Sequence, residues 1–156
     1  MNIEIVVVGK PKAGFASQGV EHYLKHLSGL ATVKVVSIKQ EPGGKNIPPE
    51  KVCQEEAARI LKRIDKPGRT VALDVTGEKT SSQSLVKRLT AWERSGLNRL
   101  SFVIGGPWGL DKAVLDKADL VLSLSKMTFS HELSLLMILE QLYRAFSIKA
   151  GRPYAK

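Results

Sequence analysis

The chain has 156 residues, 43% of them hydrophobic and 25% charged, a mixture that is typical of one globular domain and excludes disorder as the overall state. Its 24 Lys and Arg residues exceed its 15 Asp and Glu residues and give a net charge of +9, which favours a polyanionic partner such as a nucleic acid, although basic proteins without such a partner exist. The single cysteine, Cys53, excludes an intramolecular disulfide. No charge-free apolar stretch is long enough to cross a bilayer. We therefore expect a cytoplasmic protein without a membrane partner.

The first half of the chain alternates strand patterns with helix patterns. Residues 3–8 are nearly continuous and β-branched, which predicts a strand buried on both faces, and residues 15–27 predict a helix. Residues 32–38 alternate and are rich in Val, so they predict a second strand. Residues 39–49 are rich in Gly and Pro and form a loop by composition, and residues 50–64 predict a second helix.

The second half continues the alternation. Its predicted elements are a strand over residues 70–75, a helix over 81–95 capped by Ser81 or Ser82, a strand over 100–104, a short helix over 111–117 and a strand over 119–123. Strands that alternate with helices and look fully buried are typical of a parallel sheet. We therefore predict a single α/β domain over residues 1–156, with a parallel sheet that helices flank on both faces.

The last predicted helix covers residues 130–148 and is the longest. Ser130 can cap it, and Glu132 suits its positive N-terminus. Its apolar residues surround most of the helix, which indicates burial on more than one side. We expect one side to face the core and the other to face a second subunit. The alternative is an unusually deep core within a monomer.

Three strand ends are unusual and lie where such sheets bind ligands, beyond the carboxyl ends of the strands. They are residues 73–77, 104–109 and 124–129. The second contains Gly105 and Gly106, which allow a ligand to approach the backbone closely, and Pro107, which fixes the turn. An ordinary tight turn between strand and helix is the alternative.

Several common motifs are absent or incomplete. Gly9 and Gly14 have P-loop spacing, but Phe15 stands where a P-loop needs Lys. No G-x-G-x-x-G opens a helix, and no G-x-S-x-G is present. His131 begins like a zinc-binding H-E-x-x-H, but position 135 is Leu. We therefore expect no metal site.

The combination of three motifs resembles one known family, the ribosomal RNA large subunit methyltransferase H family. The motifs are Ile104-Gly105-Gly106-Pro107-x-Gly109, Leu142-Tyr143-Arg144-Ala145 and the Pro153-Tyr154 tail. The likeness extends over the whole chain. It implies a SPOUT-type α/β fold with a C-terminal trefoil knot, which would be one of the rare true knots among proteins.

The resemblance also implies an activity. It implies S-adenosylmethionine as methyl donor, N3 of a pseudouridine in 23S rRNA of the assembled ribosome as acceptor, and a homodimer. By matching position, it implies that the donor is bound by Leu73, Gly105, Leu124, Ser125, Lys126, Met127, Thr128 and Phe129. These residues lie on the three strand ends described above.

The C-terminal tail departs from the family pattern, which usually reads Asn-His-Pro-Tyr-His followed by a basic residue. Here the tail reads Gly151-Arg152-Pro153-Tyr154-Ala155-Lys156, so no tail histidine can act as a base. We hypothesise that Arg152 and Lys156 hold phosphate or stabilise the developing N3 anion, and that Tyr154 packs on the base or bonds to it. A frayed charged tail is the alternative.

Two further residues have open roles. Arg144 either reaches the donor's carboxylate or the RNA, or pairs with Glu140 one helical turn earlier. We expect His131 to lie on the surface at a helix N-terminus rather than to act as a base. Rival functions are a non-catalytic RNA-binding protein, a nucleotide-using oxidoreductase and a knotted methyltransferase that acts on tRNA. The short chain favours the ribosomal class over the last.

Overall fold

The computed structural model describes residues 1–12 and 14–155. The elements, in chain order, are β1 (Asn2–Val8), α1 (Gly14–Leu27), β2 (Thr32–Ile38), α2 (Pro49–Ile64), β3 (Arg69–Lys79), α3 (Ser82–Arg94), β4 (Arg99–Ile104), α4 (Lys112–Lys117), β5 (Leu120–Ser123), α5 (His131–Lys149) and a short 3₁₀ turn (Pro153–Ala155). The predicted elements are confirmed, and most of their ends agree to within one or two residues. The side-chain oxygens of Ser81, Asp111 and Ser130 cap α3, α4 and α5.

All five strands run parallel in the order β2-β1-β4-β3-β5. The middle strands β1 and β4 are buried along almost their whole length, because helices cover both faces. The prediction that every strand is fully buried is wrong for β2, whose residues are only partly buried or exposed. As an edge strand, β2 has a neighbour on one side only.

The two faces of the sheet carry separate apolar cores. The larger core joins α1, α3 and α5 to one face, and its fully buried side chains include Phe102, Leu135, Ile138 and Leu142. The smaller core joins α2 and α4 to the other face around Val6, Val103 and Ile60. Of the helices within residues 1–12 and 14–155, none is both long and apolar enough to span a bilayer.

Strand β3 differs from its prediction, because it continues beyond residue 75. Both Leu73 and Glu78 pair with Leu122 of β5. The four residues between them therefore have no ladder partner on β5, and pairing resumes at Glu78. Asp74 turns the chain by accepting hydrogen bonds from the Thr76 N–H at 2.9 Å and the Thr76 hydroxyl at 2.6 Å. We call residues 73–78 the β3 excursion.

Gly77 allows the β3 excursion to return to the sheet. A Cβ at Gly77 would lie 2.6 Å from the Leu122 nitrogen and 2.6 Å from the Val121 carbonyl carbon, which no side chain tolerates. This contact joins residues that are distant in the chain. The hydrophobic pattern of residues 70–75 therefore did not predict the second part of β3.

A buried carboxylate ties the opposite, amino end of the sheet together. Glu4 of β1 is 3% exposed. Its oxygens lie 2.6 Å from Arg63 Nη2, 3.0 Å from Lys34 Nζ and 3.1 Å from Arg99 Nη2. Burial alone would raise the pKa of Glu4, but the hydrogen bonds from these cations outweigh it and lower the pKa to about 2.

We expect Glu4→Gln to lower the free energy of unfolding by about 3 kcal/mol at pH 7, because the native carboxylate is stabilised relative to the unfolded chain. A depressed pKa contributes stability above the unfolded value of 4.5, and this stability is lost as the pH falls toward about 2. Urea unfolding should therefore show the difference between natural chain and variant shrinking below pH 4.5.

Asp116→Asn is the matched control, because Asp116 pairs with Lys112 on an exposed helix face and should contribute little. If Glu4→Gln were no more destabilising at pH 7 than Asp116→Asn, the role assigned to the buried carboxylate would be wrong.

Candidate active site

A cleft of about 600 Å³ opens at the carboxyl edge of the sheet. Its walls come from the β3 excursion, the turn after β4, the segment after β5 and the first turn of α5. The lining residues are Leu73, Asp74, Val75, Ile104, Gly105, Gly106, Pro107, Gly109, Leu124, Ser125, Met127, Thr128, Phe129, Ser130, His131 and Ser134. The three strand ends singled out in the sequence thus meet in one cleft.

The structure brings together seven of the eight residues predicted to hold a methyl donor. Leu73, Gly105, Leu124, Ser125, Met127, Thr128 and Phe129 line the cleft. Lys126 is exposed and is not among the lining residues, although its neighbours on both sides are. Asp74 and Val75, which belong to the strand end at residues 73–77, also line the cleft. Ser134 lines it too and was missed, because its position depends on the angle at which α5 enters.

The turn after β4 requires glycine at its first position. A Cβ at Gly105 would lie 2.6 Å from the carbonyl carbon of Gly109, because the turn folds back on itself. The Gly109 N–H donates to the Gly106 oxygen at 3.0 Å, and Gly109 has a φ of +84°. The turn is therefore narrow and presents main chain rather than side chains to the cleft.

Serine hydroxyls shape the segment between β5 and α5. The Ser123 hydroxyl donates to the Ser125 carbonyl oxygen at 2.8 Å, and the Ser125 hydroxyl accepts from the Met127 N–H at 3.0 Å. These bonds hold residues 124–129 in an irregular path. Met127 is 71% exposed at the rim of the cleft.

A buried carboxyl group that sequence reasoning missed lies behind the turn after β4. Glu56 of α2 is 2% exposed, and its Oε1 accepts from the Glu41 N–H at 3.0 Å. Burial raises the pKa of Glu56 above its ordinary value, and nearby Arg59 and His131 partly offset this effect. Its position among Val52, Cys53 and Ile60 on the apolar face of α2 was the signal that could have revealed it.

The predicted catalytic residues lie elsewhere on the chain. The Tyr154 hydroxyl donates to Glu140 Oε1 at 3.2 Å, and Arg144 Nη2 donates to the same oxygen at 2.8 Å. Arg144 thus forms the pair with Glu140 that its spacing allowed, and its guanidinium carbon lies 5.2 Å from the Tyr154 ring centre. Lys156 lies outside the described residues.

Partial burial and the nearby Glu140 carboxylate raise the pKa of Tyr154 to about 12. The phenol, which is protonated at neutral pH in any case, therefore remains a hydrogen-bond donor in alkaline solution as well. Tyr154 also packs against Tyr143, with ring centres 4.5 Å apart. Arg152 donates its backbone N–H to the Ser147 oxygen at 2.9 Å, which turns the tail back at the end of α5.

The cleft and the tail lie at opposite ends of α5. Ser134 lines the cleft, whereas Arg144, ten residues later and about 15 Å along the helix axis, contacts the tail. The chain therefore does not bring Tyr154 or Arg152 to its own cleft. Their predicted catalytic roles stay predictions.

We expect Gly105→Ala to lower the free energy of unfolding by about 1–3 kcal/mol, because the added methyl group meets rigid main chain. Thermal unfolding followed by circular dichroism measures the change. Gly14→Ala is the control, because a Cβ at Gly14 meets nothing within 4 Å. Equal melting temperatures for the two variants would show that the turn relaxes freely.

Comparison with known proteins agrees with this architecture. A family model described as "Predicted SPOUT methyltransferase" matches residues 1–155. The fold is similar to that of a solved tRNA (m1G37) methyltransferase from Aquifex aeolicus, with a TM-score of 0.56 and 18% identity over 92% of this chain and 70% of that one. The five-stranded parallel sheet is compatible with the trefoil knot of SPOUT proteins, and the knot itself stays a prediction.

Relatives of nearly equal length match the whole chain. It is 41% identical to the ribosomal RNA large subunit methyltransferase H of Acetivibrio thermocellus, over 99% of each chain. It is 40% identical to the protein of the same name from Carboxydothermus hydrogenoformans, over 100% of each chain. The chain therefore belongs to the ribosomal RNA large subunit methyltransferase H family of SPOUT methyltransferases.

Proposed function

We propose that this protein is a cytoplasmic homodimer that transfers a methyl group from S-adenosylmethionine to N3 of a pseudouridine in 23S rRNA of the assembled ribosome. Family membership supports the reaction and the class of acceptor. The observation that carries the proposal is the cleft in which the three irregular strand ends meet.

The residues of the cleft fit this methyl donor. The volume of about 600 Å³ lies within the usual range for a small-molecule site. Leu73, Leu124 and Phe129 offer apolar surface to an adenine ring, and the narrow turn at Gly105 offers main-chain groups. Ser125, Met127 and Thr128 complete the wall, and the backbone of Lys126 lies between them.

S-adenosylmethionine supplies an electrophilic methyl group on a sulfonium. The protein's own contribution is mainly alignment, which can be worth about 7–11 kcal/mol in a displacement between two well-oriented groups. Gly105 keeps main chain at the wall of the cleft, and the exposed side chains of Met127 and Val75 lie at its edge.

The tail would supply the polar groups for the acceptor base. Tyr154 is protonated at neutral pH, and its pKa, raised to about 12, keeps it a hydrogen-bond donor in alkaline solution as well. Arg152 and Lys156 add positive charge, which favours the anion that develops when N3 loses its proton. In this proposal Tyr154 positions the base and does not remove the proton.

The separation of tail and cleft supports the homodimer. In a two-fold dimer packed along α5, the tail of each subunit can lie at the cleft of the other. A groove of about 520 Å³ between α1, α3 and α5 offers a contact surface, and Leu136 and Met137 lie in its wall. Leu133, on the same helix, exposes 42% of its surface.

The direct experiment is mass-spectrometric mapping of rRNA methylation in a strain that lacks this protein. We expect one N3-methylated pseudouridine of 23S rRNA to lose its methyl group and to regain it when the gene is restored. Unchanged rRNA methylation would refute the acceptor. Calorimetric titration with S-adenosylmethionine separates the enzyme from a non-catalytic RNA-binding protein.

We expect Gly105→Ala to weaken S-adenosylmethionine binding by about tenfold or more, because the turn that presents main chain to the donor must shift. The measurement is calorimetric titration, with Gly14→Ala as the matched control. An unchanged Kd in a folded Gly105→Ala protein would remove Gly105 from the donor site.

A mixing experiment tests the contribution of the tail from the second subunit. We expect a chain that ends at Ala150 to bind the donor but not to transfer the methyl group. We expect the Gly105→Ala variant to lack activity because its cleft binds the donor poorly. Subunits of the two variants, dissociated and reassociated together, should recover roughly a quarter of full activity. Half of the dimers are then mixed, and each mixed dimer has one complete site. No recovery beyond the sum of the two variants would show that the tail acts within its own subunit.

A further inference from the structure

We propose that Trp108 is a stacking platform for an unpaired RNA base beside the methyl-transfer cleft. The inference rests on the proposed function for the presence of RNA, and it adds a recognition residue that the motif glycines do not supply. Three observations support it: the exposure of the ring on a firmly held backbone, its place at the mouth of the cleft, and the lysines on neighbouring loops.

The indole is exposed although its backbone is held firmly. Trp108 is 60% exposed, which is unusual for so large an apolar side chain. The residues on both sides are fixed, because the Gly109 N–H donates to the Gly106 oxygen at 3.0 Å. The buried Cys53 thiol lies 3.5 Å from the Trp108 carbonyl oxygen. Because the backbone is already held, a partner that stacks on the ring does not have to order the turn as well.

The ring stands at the mouth of the cleft. Pro107 and Gly109, on either side of Trp108, both line the cleft, whereas the indole itself does not. On its other side the ring approaches the loop that follows β2, since a Cβ at Gly43 would lie 4.0 Å from the indole Nε1. A nucleotide that enters the cleft over the turn after β4 therefore passes beside this ring.

Exposed lysines lie on the loop after β2, which approaches Trp108, and on the loop after β1, which contacts it; we call these lysines the basic rim. The basic rim consists of Lys10, Lys12, Lys39 and Lys45. The loops after β1 and β2 begin side by side, since the Gly9 N–H donates to the Ile38 oxygen at 2.8 Å. A Cβ at Gly9 would lie 3.7 Å from Nε2 of His131, which lines the cleft, so the loop after β1 begins beside the cleft.

The basic rim has positive charge available for a polyanion. None of its four lysines forms a salt bridge with a carboxylate within residues 1–12 and 14–155. Cations that track a phosphate backbone beside an aromatic ring that stacks a base are the usual elements of single-strand recognition. An apolar protein partner would not account for the lysines.

The chain contains two tryptophans, and this makes the test direct. Trp92 is partly buried against the larger core, so Trp92→Phe leaves Trp108 as the fluorescent reporter. The full-length protein is titrated with a short single-stranded oligouridylate and with the same strand annealed to its complement. We expect the single strand to quench Trp108 emission strongly and the duplex, whose bases are already stacked, to quench it little.

Substitutions separate stacking from apolar contact. Against the single strand, Trp108→Leu and Trp108→Ala should weaken binding roughly 10-fold to 100-fold, whereas Trp108→Tyr, which keeps an aromatic face, should retain most of the affinity. Lys45→Ala should lower the salt dependence of binding by about one counterion. Lys66→Ala, at a separate cavity near the amino ends of the strands, should leave it unchanged.

Single-strand affinity of Trp108→Leu within twofold of the natural chain would overturn the proposal. So would dissociation of the Trp108→Ala dimer in sedimentation, because the ring would then belong to a subunit contact. Donor titration keeps this test apart from the proposed function. If the single strand does not quench Trp108 but donor binding and rRNA methylation are intact, only the role of Trp108 is rejected. If the single strand quenches Trp108 but the donor does not bind or rRNA is not methylated, only the proposed reaction is rejected.

Discussion

The site depends on two places where main chain approaches main chain too closely for any side chain. Gly77 lies against the Val121–Leu122 backbone, and Gly105 lies against Gly109. The first contact returns the β3 excursion to the sheet, and the second folds the turn after β4 onto itself. Together they allow three irregular segments to pack side by side at one edge of the sheet, which ordinary strand ends with side chains cannot do.

Helix α5 determines how the parts of the site are arranged. Its first turn lines the cleft, its middle fills the larger core with Leu135, Ile138 and Leu142, and its last turns hold the tail through Glu140 and Arg144. Because a helix is stiff, these functions stay about 15 Å apart within one chain. Within one chain the tail lies away from the cleft, whereas a two-fold related copy could bring its own tail there.

Much of the fold followed from local patterns. The continuous apolar residues of β1 and the capping serines Ser81 and Ser130 located their elements, because burial and capping act over a few residues. The i,i+4 spacing also indicated the pair between Arg144 and Glu140. The alternating pattern of β2 did not distinguish an edge strand from a buried one.

Other features depend on contacts between distant parts of the chain, which no local pattern contains. The second part of β3 exists because Leu122 offers a ladder partner to Glu78 as well as to Leu73. The burial of Glu56 depends on the loop that follows β2, because Glu56 accepts a hydrogen bond from the Glu41 N–H of that loop. The docking of Tyr154 on Glu140 required the tail to reverse direction, which the spacing of tail residues does not reveal.

The β3 excursion is anchored at both ends on Leu122, and this has a consequence for motion. A loop whose two ends are held by the same ladder residue can open without shifting the register of either strand. Amide hydrogens of residues 74–77 should then exchange with solvent through a local fluctuation, while those of Ala72 and Leu122 exchange only when the sheet itself comes apart. Such a pairing would let one wall of the cleft open by itself while the rest of the sheet stays in register.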